Sequence, residues 1–287
     1  MPSDMRLFPA AVCLLALLLG SAPAWAHGDL HAQIVALTRA IAAAPNDATL
    51  YLQRGELHRA HHAPRQARAD YDRALALDPS LDAARLARAR LLVEIGRAAE
   101  AEPDIETFLA RHPGHVQATL VRARARGARG DVTGAVTDFD AVLAAAPDPD
   151  RGLERARLLA ATGRDDDRRQ AVAGLDALMT RLGPIVTLHL EAVALLATSG
   201  DFDEALTRVD AAIVGMPSST MWRMRKADLL RKAGRTDEAR VAYLDARAAL
   251  DRLPPARRQT RDAERTRTVI DTALATLSAS VQGSSHP

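Results

Sequence analysis

Ala48 to Leu81 reads ATLYLQRGELHRAHHAPRQARADYDRALALDPSL, and the features of this stretch return along the chain at one interval. Its Pro79 belongs to the series Pro45, Pro79, Pro113 and Pro147, spaced by 34 residues. Pro184 and Pro217 nearly keep the beat, at steps of 37 and 33, and Asp251 falls 34 further on. Leu50, Tyr51, Arg54, Gly55 and His58 mark a first helix. A turn follows at His62-Ala63. Pro64 suits the first position of a second helix, where the missing N–H leaves no bond unmade. Ala67, Tyr71, Ala74 and Leu75 recur on one helical face. The helix ends at Asp78, because a residue before proline is pushed from the α region.

The following units repeat this layout. Ala89, Ala101, Ile105 and Phe108 lie 34 residues after Gly55, Ala67, Tyr71 and Ala74, and Ala123, Ala135, Phe139 and Val142 lie 34 beyond those. A last full unit shows Ala227, Gly234, Ala239, Tyr243 and Ala246. Small residues at Gly55, Ala89, Ala123 and Ala227 let paired helices approach. Larger groups at Tyr71, Ile105, Phe139, Val209 and Tyr243 fill the space between units. Gly96, Gly130, Gly163, Gly200 and Gly234 mark the turns, where positive φ is often needed. The fourth unit is the least regular: in this register Arg157 replaces the small residue, and Arg164 to Arg169 holds about three extra residues.

A 34-residue period of helix, turn and helix resembles the tetratricopeptide repeat family. The resemblance covers residues 31 to 251 and implies an all-α, right-handed α-solenoid of antiparallel helix pairs with a C-terminal capping helix. The organisation expected is a signal peptide over 1–26, a lone helix over 27–47, six helical hairpins over 48–251, a cap over 252–279 and a disordered tail over 280–287. The cap carries Val269, Ile270, Ala273, Leu274 and Leu277 on one face, and covers the apolar end of the last hairpin.

The first residues read as an export signal. Leu7 to Leu19 is apolar, Gly20 to Pro23 breaks the run, and Ala24-Trp25-Ala26 places small residues before a cut after Ala26. A periplasmic or secreted protein with no stable membrane span is expected. Cys13, the single cysteine, falls inside the signal, so mature cysteine chemistry and disulfides are excluded. The formal charge is only +2, and acids and bases interleave along the helices. Nucleic-acid binding wants a basic stripe with stacking aromatics, and aromatics are 3% of the chain. No nucleophile elbow, phosphate loop, zinc-protease motif or dinucleotide fingerprint is present, so no enzyme and no cofactor are expected.

The family resemblance implies a protein or peptide partner held in the concave groove lined by the first helix of each pair. Helical phase places Gln53, Glu56 and Leu86 there, together with Arg59, Arg90, Arg124, Arg151, Arg155, Arg225 and Arg231. Arginine forks suit acidic groups, which points to an acidic segment of an envelope or secreted protein. A different reading is a metal-handling accessory. His58, His61 and His62 stand at i, i+3 and i+4, and His27, with His31 near it, becomes the N-terminus after cleavage. Asp165 to Asp167 lack the calcium-loop pattern and are expected to cap the helix that follows.

Overall fold

A computed structural model describes the backbone of residues 25–216 and 219–283, and side chains from Leu30 to Ser278 within that span. The expected signal lies outside the described residues, except that Trp25 and Ala26 open the first helix. Pro217 also lies outside them. The described residues form fifteen helices and no strand. These are α1 (Trp25–Ala43), then the pairs α2 (Ala48–Ala60) and α3 (Pro64–Leu77), α4 (Asp82–Glu94) and α5 (Ala98–Arg111), α6 (Val116–Ala128) and α7 (Val132–Ala145). They continue with α8 (Pro149–Ala160) and α9 (Asp165–Leu182), α10 (Val186–Ser199) and α11 (Phe202–Gly215), α12 (Thr220–Lys232) and α13 (Thr236–Asp251). The chain ends in α14 (Pro255–Arg258) and α15 (Arg261–Gly283). The expected cap is thus two helices, the longer reaching Gly283, beyond the boundary placed at 279.

The proline and glycine punctuation sets these boundaries. Pro64 and Pro149 open α3 and α8. Asp47, His115, Asp131, Asp148 and Ser219 cap helices by accepting a backbone N–H of the first turn. The turns inside the pairs take positive φ at Gly96, Gly130, Gly163, Gly200 and Gly234. In the first pair that place belongs to His62, the one non-glycine residue with positive φ among those described, at 55°.

The chain divides into two compact units, one up to Leu91 and one from Leu92. In the first, Tyr71, Ala67, Ala87 and Leu91 form one apolar cluster, and Ala74, Leu75 and Ala84 another. In the second, Leu120, Ala123, Phe139 and Val142 pack together, and a larger cluster runs from Val136 to Leu277. Helix α15 lies on α13 and contributes Ile270 and Leu277 to that cluster. The small residues Ala89, Ala123 and Ala227 are fully buried. With so few aromatics, the core rests on such close helix approach, where dispersion contacts are densest.

Two expectations for the fourth pair change. Arg157 does not hold the small position; it is exposed, and Ala156 is buried there instead. Helix α8 starts 33 residues after α6, one short of the repeat, because Pro149 sets its first turn. The extra residues do not bulge into a loop. They lengthen α9 to 18 residues, against 14 in α3, α5, α7 and α11. Asp165 to Asp167 make no capping bond, since the cap position is Arg164; they sit in the first turn, where the helix dipole favours them.

Candidate functional site

The first unit contains a groove of about 910 Å³ built by three helices. Helix α1 presents Gln33, Ala36, Leu37 and Ala40, the i, i+3, i+4, i+7 set of one face. Helix α2 adds Leu52, Gln53, Glu56 and Leu57, and α4 adds Leu86, Ala87 and Arg90. The floor is apolar and the polar groups stand along it. Gln53, Glu56, Leu86 and Arg90 were legible as groove positions from helical phase. The contribution of α1 was not, although the spacing of Gln33, Ala36, Leu37 and Ala40 carried it.

Glu56 organises the polar side of the groove. Its carboxylate accepts from Arg90 at 2.8 Å on each oxygen, from the Tyr71 hydroxyl at 2.9 Å and from Arg59 at 3.3 Å. Burial, then the charge of Glu56, pushes the Tyr71 phenol well up, so it stays a neutral donor. Two of the expected groove cations are therefore held by one acid. In the second unit the Tyr243 hydroxyl donates to Asp228, and Arg231 lies beside that hydroxyl. Tyr243 and Asp228 are 15 residues apart, as are Tyr71 and Glu56.

The remaining expected cations separate. Arg124 is paired with Glu154 through two bonds, at 2.8 and 2.6 Å, and this contact raises its pKa. Arg151 lies 3.7 Å from Asp148 at the start of α8. Arg225 is exposed and borders a second recess, of about 470 Å³, with Met221, Met224, Leu253 and Arg257. Arg155 is not a groove residue. It is only 7% exposed and binds Asp140 of α7 at 2.6 Å. The one-residue shift of α8 turns it inward, into the place held by Arg122 in the pair before.

That inward place follows a pattern sequence reasoning missed. Arg54, Arg88 and Arg122 stand just before the small residue of each first helix, and Asp70, Asp104 and Asp138 just before the large residue of each second helix. All three aspartates are buried. Arg54 binds Asp70 through two bonds, at 2.9 and 2.6 Å. Arg122 binds Asp138 at 3.0 and 2.8 Å, and Arg126 adds a third bond at 2.8 Å. The paired bonds give planar, directional contacts between the two helices of a hairpin. The signal lay in the sequence as a second 34-residue series, arginine and aspartate 16 apart.

Among the described residues the histidines do not converge. His58 turns toward Asp70, with Nε2 at 3.8 Å from the carboxylate, and burial lowers its pKa. His61 is the C-cap of α2 and His62 takes the left-handed turn. His31 is exposed on α1, and the side chain of His27 is outside the described residues. Among the described residues no three His, Cys, Asp or Glu side chains form a metal-binding group. No described helix is long and apolar enough to cross a membrane.

Residues 86–151 and 190–254 match the family model described as Tetratricopeptide repeat. These regions are tetratricopeptide repeats, and the fold is an α-solenoid of helical hairpins. A tetratricopeptide repeat protein from Parabacteroides merdae superimposes with a TM-score of 0.54 at 18% identity, covering 87% of this chain and 93% of that one. PilW, a type IV pilus biogenesis factor, does so with 0.55 at 19% identity, covering 68% and 90%. Naa15, solved with Naa10 and bound to HypK, gives 0.52 at 16%, covering 85% and 39%. These likenesses are of fold. No curated protein matches the sequence significantly. The class that fold and family define is the protein-interaction scaffold.

Proposed function

We propose that this chain is an exported, non-enzymatic scaffold, periplasmic or secreted, that holds a segment of another envelope or secreted protein in the α1–α2–α4 groove. The observation that carries the reading is the groove itself: an open apolar floor of Leu37, Leu52, Leu57 and Leu86 beside one polar cluster. Monomeric proteins rarely leave a contiguous apolar surface of this kind without a partner. The acidic-segment expectation narrows accordingly. Arg59 and Arg90 already satisfy Glu56, so the segment's main contacts are apolar, with its acidic groups meeting the outer faces of the two guanidiniums.

A photoreactive residue at Gln53 tests the groove, with the same residue at Asp237 on α13 as control. Crosslinking to a defined partner at Gln53 alone, abolished by Leu86→Asp, supports the reading. Equal crosslinking from both positions removes it. Export is tested separately: N-terminal sequencing of the chain recovered from the envelope fraction is expected to begin at His27.

A further inference from the structure

The arginine–aspartate series breaks in the fourth hairpin. The large residue there is Leu175, buried against Ala171 and Leu178. The residue before it, where Asp70, Asp104 and Asp138 stand in earlier hairpins, is Gly174. The arginine of the series is nevertheless present as Arg155. Its Nε and one terminal nitrogen donate to Asp140, at 2.6 and 3.2 Å. Its other terminal nitrogen, Nη1, is buried and has no hydrogen-bond partner. A Cβ placed on Gly174 would lie 2.6 Å from that nitrogen.

The orphan nitrogen thus faces Gly174, the position at which the earlier hairpins carry the aspartate. A recess of about 170 Å³ opens at this point, bordered also by Leu178 and Arg181. Arg181 is fixed on the rim by donating to the carbonyls of Leu143 and Ala144, at 2.8 and 3.3 Å. Two guanidiniums and the single carboxylate of Asp140 leave the recess with a net positive charge. An unpaired N–H of a buried cation is costly, and a charged acceptor satisfies it best.

We propose that the recess between α7, α8 and α9 is a binding site for a carboxylate, which takes the place of the absent aspartate and accepts from Arg155 Nη1. The source is a free small carboxylate or an acidic side chain of a partner. The site lies in the second unit and does not depend on the groove reading.

The purified full chain is titrated at constant ionic strength with sodium acetate, and separately with a capped pentapeptide carrying one aspartate among glycines. Thermal unfolding and the arginine Nη resonances are followed. A saturable rise of about 3 °C is expected with at least one probe. Saturation by acetate alone identifies a free ion, and saturation by the peptide alone identifies a side chain. Gly174→Asp supplies the carboxylate internally once Nη1 shifts to admit its Cβ, so it is expected to lose the response. Arg155→Leu is expected to lose the response as well. The absence of saturation with both probes overturns the proposal. So does an equal response in Gly174→Asp, which marks a general salt effect.

Discussion

Replacing Asp138 by alanine tests whether the buried arginine–aspartate pairs hold the hairpins together. Asp138 is 3% exposed and accepts three bonds from Arg122 and Arg126. The alanine variant strands both cations. Removing one partner of a fully buried pair costs about 3–5 kcal/mol. Here the guanidiniums are 26% and 32% exposed, and Arg122 keeps Glu106 at 3.7 Å, so water and that carboxylate offset part of the loss. We expect about 2–3 kcal/mol, which lowers the unfolding midpoint by roughly 5–10 °C. The control is Glu154→Ala, which removes an equally bidentate contact whose partners are 43% and 35% exposed. It should cost at most about 1 kcal/mol. Urea unfolding followed by circular dichroism measures both, with slope and midpoint fitted separately because repeat proteins can unfold in parts. Asp138→Leu combined with Arg122→Met should recover part of the loss, since an apolar pair of similar size removes one of the two stranded charges. If Asp138→Ala and Glu154→Ala cost the same, the buried series has no special role and the reasoning fails.

Gly55→Ala gains about 1 kcal/mol of helix propensity, but its Cβ would lie 2.6 Å from the buried Tyr71 ring, and overpacking costs about 1–3 kcal/mol. A net loss of about 1 kcal/mol by urea unfolding is expected, and a net gain would show that the ring yields. His62→Gly relieves the left-handed strain and should stabilise the first unit by about 0.5–1 kcal/mol; a loss would mean that the imidazole does more than turn the chain. His58 has its pKa lowered by burial, so in the window below the unfolded value the folded state binds fewer protons. Its contribution to stability should therefore be full above about pH 6.5 and decline as pH falls through that window, and His58→Gln should flatten the slope. An unchanged slope removes His58 as its source. In the groove, Arg90→Gln should change partner affinity by less than about threefold, whereas Leu86→Asp should lower it by at least about tenfold, because it both loses apolar burial and places a charge on the floor. The reverse order would restore the basic-groove reading.

Periodicity alone was enough to set the hairpins. Pro64, Pro79 and Pro113 mark helix boundaries through backbone sterics that act within one or two residues, and the turn glycines do the same through φ. The alternation of small and large residues, Gly55 against Tyr71 or Ala123 against Phe139, was legible because each repeats at a fixed separation. The groove positions Gln53, Glu56, Leu86 and Arg90 followed from helical phase in the same way. Where one residue is lost, that reasoning slips: Pro149 starts α8 one position early, which moves Ala156 into the core, Arg157 to the surface and Arg155 inward.

Charge depended on more than phase. Helical spacing says which way an arginine points, but not which carboxylate from another helix meets it. Arg90 and Arg59 look like free groove cations until Glu56 is seen between them, and Arg124 until Glu154 is placed beside it. The orphan nitrogen of Arg155 is likewise invisible in one dimension, since it exists only because Gly174 comes from a different helix. Local backbone chemistry decided where the helices begin and end, because it acts between near neighbours. The pairing of ions and the shape of the groove waited on the three-dimensional arrangement, because electrostatics and burial depend on distances that sequence separation does not encode.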